Sequence, residues 1–226
     1  MELHADFSKP ALVHGARIEW VPSPMPGVER RMLDRVGEEV ARATTIVRYA
    51  PGSQFAPHVH GGGEEFLVLE GVFSDEHGDF GPGTYVRNPP TSRHTPGSEP
   101  GCVILVKLWQ FDPDDRLTVR LDTNAGSSTA VEGRAGMTRV SLFDAPDEHV
   151  AIEQWVAGSP WTEANLGGLE IFVLEGDLRW GSELLERWSW LRLPPGTALE
   201  AGVGPAGARV WIKRGHLLAP RGVSLG

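Results

Sequence analysis

The chain has a single cysteine, Cys102, in 226 residues, so no internal disulfide framework can form and a reducing compartment is the expected setting. No run approaches eighteen apolar residues, which excludes a membrane-spanning helix. The first twenty residues hold His4, Asp6, Lys9, His14, Arg17 and Glu19 and so lack the apolar core of a secretion signal. These absences predict a soluble, cytoplasmic protein. Lys and Arg number 21 against 30 Asp and Glu, for a net charge of −9, and they form no basic cluster. Nucleic acid and anionic membrane surfaces are therefore not expected partners. Sustained helical periodicity is missing as well; only Glu29–Arg42 carries a weak pattern that fits one short helix.

What the chain does hold is apolar and short-ranged. Hydrophobic residues make up 40%, with eight Trp and eight Phe, enough for a core and against disorder. Length alone leaves open one large β domain or two domains of about a hundred residues. Runs such as Thr44–Tyr49, Phe66–Glu70, Val103–Trp109, Ile171–Leu174 and Arg209–Lys213 are broken by 28 Gly and 18 Pro. Many short strands with frequent turns predict an all-β sandwich or barrel.

The chain also contains itself twice. Residues 63–71 read GEEFLVLEG and residues 168–176 read GLEIFVLEG, six of nine identical at an offset of 105. The same offset lays Thr84–Pro90 on Ser189–Pro195, and Ile104–Lys107 resembles Val210–Lys213 with a one-residue slip. Order and spacing agree at three places, so a tandem duplication of one β module is expected. The predicted division is residues 1–122, an irregular Pro-punctuated leader plus the first module, and 123–226, a linker plus the second.

Four residues of the first module form a candidate metal site: His58, His60, Glu64 and His94. His58 and His60, one residue apart on a strand, point to the same face. A glycine run then turns the chain, and Glu64 opens the next strand. Three imidazoles and a carboxylate suit Zn, Fe(II), Mn, Ni or Cu better than Ca or Mg. Glu65 is the rival carboxylate, but alternation turns it to the opposite face. The offset projects the four positions onto Glu163, Asn165, Leu169 and Leu199, which leaves too few good ligands. The second module is thus expected to be metal-free, covering the first module's open face or offering an unmetallated pocket.

At this point the chain resembles the cupin superfamily of small double-stranded β-helix, or jelly-roll, barrels. Gly52, His58, His60, Glu64 and Gly71 fit its first signature at every spacing. Gly83, Pro89 and His94 fit the second, where Thr91 replaces a glycine and Ser98 an asparagine. From about Trp20 to Pro113 the chain is similar to the ChrR-type cupins, through Pro51-Gly52-Ser53, Phe73-Ser-Asp75-Glu76, Tyr85-Val-Arg-Asn-Pro89 and Gly101-Cys102. The resemblance implies two tandem cupin barrels with one divalent metal, Zn or Fe(II) first, then Mn or Ni. In that family the cupin is half of an anti-sigma factor or stands alone, and relatives include dioxygenases that cleave β-diketones. The HxxxCxxC pattern of the anti-sigma domain is absent from this sequence, so anti-sigma activity is not implied.

Two functions follow. One is a metal-dependent enzyme, dioxygenase- or oxidoreductase-like, acting on a small dicarbonyl or related oxygenated molecule, with Glu64 as fourth ligand or proton acceptor. The other is a non-catalytic, Zn-holding sensory or regulatory cupin. Phe55, Phe66 and Val68 are candidate pocket walls, with ordinary barrel filling as the alternative. Arg87 would neutralise an anionic substrate, or else be a solvated strand arginine. Cys102, at the head of an apolar strand, reads as structural rather than redox-sensing. Edge strands leave homodimer formation open.

Overall fold

The computed structural model describes residues 1–38 and 40–222. The described residues are β throughout, apart from turns and one 3-10 turn at Gly15–Arg17. No helix among them is long and apolar enough to cross a membrane. The chain divides into two compact units: Met1–Ala5 with Ile18–Asn124 and the stretch from Arg221, and Asp6–Arg17 with Ala125–Pro220.

The expected division at 122/123 therefore needs correction. Strand Ala11–His14 pairs antiparallel with Ser189–Leu193 of the second unit, so part of the leader is an edge strand there. The rest of the leader is less irregular than its prolines suggest. Val28–Gly37 is a ten-residue strand paired along Ala41–Tyr49. No helix forms across Glu29–Arg42: the alternating Val28, Arg30, Met32 face finds Tyr49, Val47 and Thr45 opposite, and pairing overrides the weak helical pattern.

In the first unit the larger sheet runs Glu2–Leu3, Val28–Gly37, Ala41–Tyr49, Cys102–Leu108, Glu64–Gly71, Thr84–Asn88, Val119–Asp122. A smaller sheet runs Gly78–Phe80, Phe73–Asp75, Gly97–Ser98, Ser53–Gln54. Between them lies a core of Val47, Phe66, Val68, Val86, Ile104 and Val106 from one sheet and Phe73 and Phe80 from the other. Cys102–Leu108 is apolar almost throughout because both its faces are covered. Cys102 is buried there, and burial pushes its thiol up to about 11, which fits the structural reading.

The second unit forms one nine-stranded sheet instead of two, but the registers of its central strands match those of the first. Glu64 lies opposite Asn88 and Leu108, and Leu169 lies opposite Leu193 and Arg214. Lys107 faces Glu65 and Lys213 faces Glu170, so the one-residue slip is real. Gly71 and Gly176 show why the LEG ending recurs: a Cβ would stand 2.0 Å from the Gly101 carbonyl oxygen and 1.9 Å from that of Gly207. The second core is aliphatic and Trp-rich, with Trp155 stacked on Trp161 at 4.4 Å and Ile171, Val173, Leu191 and Leu193 around them.

Candidate metal centre

Backbone pairing brings the three histidines together. Strand His58–Val59 pairs with Arg93–His94, and His94 lies directly opposite His58. The next residue is fixed as firmly: His60 N–H donates to the Ser92 carbonyl and its own carbonyl accepts from Thr91 N–H, each at 2.9 Å. Thr91, which stands where the signature has glycine, adopts the glycine-like φ of +73° that this turn requires. The departure from the pattern is thus met by strain, of about 1 kcal/mol or more.

The rings are 5.1, 4.9 and 4.5 Å apart for the pairs His58–His60, His58–His94 and His60–His94, with interplanar angles of 76°, 81° and 80°. Three near-perpendicular imidazoles share one focus. One ring nitrogen from each lies within 4.8 Å of the others, within reach of a common ion. Two Nδ1 atoms are in hydrogen bonds on the far side, His58 with Ala56 O at 3.2 Å and His60 with Ser92 Oγ at 3.1 Å, while His94 Nδ1 stands 3.4 Å from Asp75 Oδ2 in a charge contact without hydrogen-bond geometry. Such outer contacts orient a ligating imidazole and leave its Nε2 lone pair free. His60 Nε2 is buried without a hydrogen-bond partner. An orphan of this kind costs about 1–3 kcal/mol unless something fills it, and a metal ion fits.

Glu64 opens strand Glu64–Gly71 with its side chain on the histidine face. Its Oε2 lies 3.4 Å from His60 Nε2 and 3.6 Å from His94 Nε2, and the Asn88 amide approaches the same oxygen at 3.5 Å. Glu65 points the other way, accepting from the Tyr85 hydroxyl at 2.9 Å and Arg87 at 3.1 Å. Burial, with the neighbouring His94 and His58 adding to it, keeps the His60 imidazole below its ordinary value although Glu64 pulls it up. His60 is therefore neutral at pH 7, the form a metal needs. Burial also opposes ionisation of Asp75, yet the His94 contact and the His77 N–H win and hold its carboxyl below the usual range.

A cavity of about 270 Å³ opens beside the site, lined by His58, Glu64, Tyr49, Trp109, Arg30 and Arg35 among others. Two expectations are corrected here. Phe66 and Val68 share the Glu64 face but lie deeper, fully buried in the core, with Phe55 packed beside them; none of the three lines the cavity. Arg87 is neither a pocket residue nor solvated. It is buried on the opposite face, paired with Glu65 and with Asp115 at 2.7 Å, and lies over the Phe111 ring. The glycine run also has a physical cause: a Cβ on Gly62 would stand 2.3 Å from the Trp109 ring, so only glycine lets that cavity-lining indole lie against the run.

In the second unit the projected positions part company. Leu169 and Leu199 are buried in the apolar core. Asn165 donates its amide to the carbonyls of Leu193, Pro194 and Thr197 and closes a loop. Glu163, at the place of His58, is taken by Arg214, which also binds Glu153. Arg214 holds the row position of Leu108, so the one surviving acidic group is neutralised from within its own unit.

Sequence reasoning missed Asp75, Ser92, Tyr49, Arg30 and Arg35. The Phe73-Ser-Asp75 likeness pointed toward the first of these. The others become visible only through pairing across strands.

Comparison with known proteins bears on these residues. Residues 8–112 match the ChrR Cupin-like domain family. The anti-sigma-E factor ChrR of Cereibacter sphaeroides is 40% identical over 82 residues, 35% of this chain and 37% of that protein, so the chain spans about a third of that curated relative. Among solved structures, a candidate dioxygenase from Nostoc punctiforme is similar with a TM-score of 0.71 at 14% identity, covering 94% of this chain and 81% of that one. Bacterial pirin YhhW from Escherichia coli, in complex with nickel(II), gives 0.67 at 11% identity, covering 91% and 98%. At such identities these likenesses show the fold alone.

Proposed function

Because residues 8–112 of this chain are a cupin domain of the ChrR type, we propose that the protein is a metal-dependent cupin enzyme of the oxidoreductase kind, dioxygenase-like, acting on a small dicarbonyl or related oxygenated molecule. Its first barrel would hold one divalent transition metal, Zn or Fe(II) before Mn or Ni, on His58, His60, His94 and Glu64. Its second barrel would stay metal-free, and a cytoplasmic setting suits the lone, buried Cys102. The observation that carries this reading is the focus of three perpendicular imidazoles, anchored from behind, at the wall of a cavity large enough for a small substrate.

When bound, such an ion supplies Lewis acidity toward a carbonyl oxygen, and iron adds dioxygen chemistry. The chain's own groups supply the rest. Glu64 Oε2, beside the Nε2 atoms of His60 and His94, is either the fourth ligand or the acceptor of a proton from a carbon between two carbonyls. Asn88 holds that carboxylate from the neighbouring strand. Tyr49 lines the same cavity, and burial, then the nearby Glu64 charge, raises its phenol far above the ordinary value. A phenol kept protonated in this way donates to a substrate oxygen and never competes as an anion. Trp109 lies over the glycine run and adds an apolar wall to the same cavity.

A second reading is a Zn-holding sensory or regulatory cupin without turnover, favoured by the 40% identity to the anti-sigma factor over 82 residues. Oxygen uptake against a panel of β-diketones and hydroxy-ketones separates the two. Uptake that requires Fe(II) and is lost in His60→Ala supports the enzyme. Tightly held Zn with no turnover on any member supports the sensor.

A further inference from the structure

The cavity beside the histidines carries two cations that the chemistry above does not use. Arg30 and Arg35 both line it, five residues apart on strand Val28–Gly37. In a regular strand an odd spacing turns two side chains to opposite faces. Here a bulge between Met32 and Asp34 resets the alternation, so that Arg30 lies opposite Val47 and Arg35 opposite Ala43, both on the cavity side. From Arg35 a single cross-strand row runs through Ala43 and Leu108 to Glu64. That is three strand spacings, about 14 Å between the end backbones. Ala41 and Ala43 are the smallest of the cavity-lining side chains along this stretch, which leaves room between the guanidinium and the carboxylate.

Neither arginine has a carboxylate within ion-pair distance among the described residues, although the charge of Arg35 reaches the Glu38 carboxylate. Arg30 donates to Ser23 Oγ and Arg35 to the Glu38 carbonyl, while the Glu38 carboxylate is taken by the Met1 ammonium. Their neighbours are provided for differently: Arg31 and Arg48 stack on Trp20 at 4.3 and 4.4 Å, and Arg48 also pairs with Glu29. Burial, followed by the like charge of Arg35, pulls the Arg30 guanidinium below its ordinary value. Two like charges facing one cavity are a standing repulsion that an anion between them would remove.

We infer that the cavity takes a small oxo acid, its carboxylate held by Arg30 and Arg35 and its carbonyl turned toward Glu64 and the three histidines. This rests on the metal-centre reading for the carbonyl end, and on Arg30 and Arg35 alone for the acid end. At about 270 Å³ the cavity lies just under the roughly 300–1,000 Å³ of ordinary small-molecule sites, which favours a small acid. Tyr49 is a further donor for its oxygens.

Acetoacetate and acetylacetone test this directly, because they have the same number of non-hydrogen atoms and differ in a carboxylate against a methyl ketone. Calorimetric titration of the full chain, with Zn(II) bound so that no turnover intervenes and again without metal, should show acetoacetate binding at least tenfold tighter. The preference should vanish in Arg30→Gln/Arg35→Gln, and in the wild type it should shrink as salt is raised, because the discriminating contact is ionic. Equal binding of the two probes, or a preference that survives both substitutions or is indifferent to salt, would overturn the inference. A separate Zn(II) titration without either probe distinguishes the two failures. If Zn(II) binds and the acid is not preferred, the oxo-acid inference falls and the metal centre stands. If Zn(II) does not bind, the metal reading falls, and the acid preference of the metal-free chain still decides the role of the arginines.

Discussion

Asp75→Asn is the substitution that isolates the orienting shell of the candidate centre. The Asp75 carboxylate stands 3.4 Å from His94 Nδ1 and is shielded from solvent. At an effective dielectric of about 20, two full charges at that separation would interact by about 5 kcal/mol, an upper limit since only part of an ion's charge reaches the ring. Loss of an outer partner of a ligating histidine typically costs about 10- to 100-fold in metal affinity, roughly 1.4–2.7 kcal/mol. Asparagine adds a specific fault: its amide N–H donates to Nδ1, which places the imidazole proton on Nε2 and blocks the ligating lone pair. Its remaining oxygen still accepts the His77 N–H that Asp75 Oδ1 takes at 2.7 Å, so the hairpin should stay folded. Zn(II) affinity measured by competition with a chelating dye should fall by that factor, with the melting temperature nearly unchanged. Asp79→Asn, on the same hairpin but bonded to Ser74 at 2.6 Å, should leave affinity as it was. Affinity within threefold of wild type for Asp75→Asn, in a folded protein, would refute the reasoning.

Three further outcomes follow from buried charge and backbone strain. Arg214→Met leaves the Glu153 carboxylate, which has no solvent exposure, with Arg139 as its remaining cation, and Glu163 with the more distant Arg134; losing this charged hydrogen-bond partner should cost about 1–3 kcal/mol in urea unfolding. Burial alone would raise the Glu153 carboxyl, but Arg214 and Arg139 hold it below the ordinary 4.5, so its stabilisation is complete above that pH and drains away as pH falls through the lower folded value. Wild type should therefore lose more stability than Glu153→Gln between neutral pH and about pH 3, and parallel losses would count against this. Thr91→Gly should relieve the +73° strain and raise stability by up to about 1 kcal/mol without lowering metal affinity, as checked by calorimetry and dye competition.

Much of the candidate site's geometry is legible in the sequence, because its signal is local. His58 and His60 share a face by alternation, and spacing alone singles out Glu64 over Glu65, whose partners Tyr85 and Arg87 lie on the other side. The internal sequence repeat is equally legible, and the matching registers of Glu64 and Leu169 agree with it. What stayed hidden depends on pairing between distant strands. Parity places Phe66 and Val68 on the Glu64 face but not how far from its end, and they fill the core. Arg30 and Arg35 have opposite parity in sequence, and only a bulge turns them the same way. Arg87 reads as a surface charge because nothing near it announces Glu65, Asp115 and Phe111. Strand Ala11–His14 has too few residues to reveal that its partner is Ser189–Leu193, so the sequence does not show that Asp6–Arg17 alone, out of the leader, belongs to the second unit.

Metal content per chain tests the central claim most directly. Protein purified without chelators, then saturated in turn with Zn(II), Fe(II), Mn(II) and Ni(II) and freed of excess, should retain one equivalent of at least one of these ions. That equivalent should disappear in folded His60→Ala/His94→Ala, since the second unit offers only Glu163 and Asn165 at the matching places. A chain that stays empty under every ion, or one whose metal survives the loss of both histidines, would contradict it.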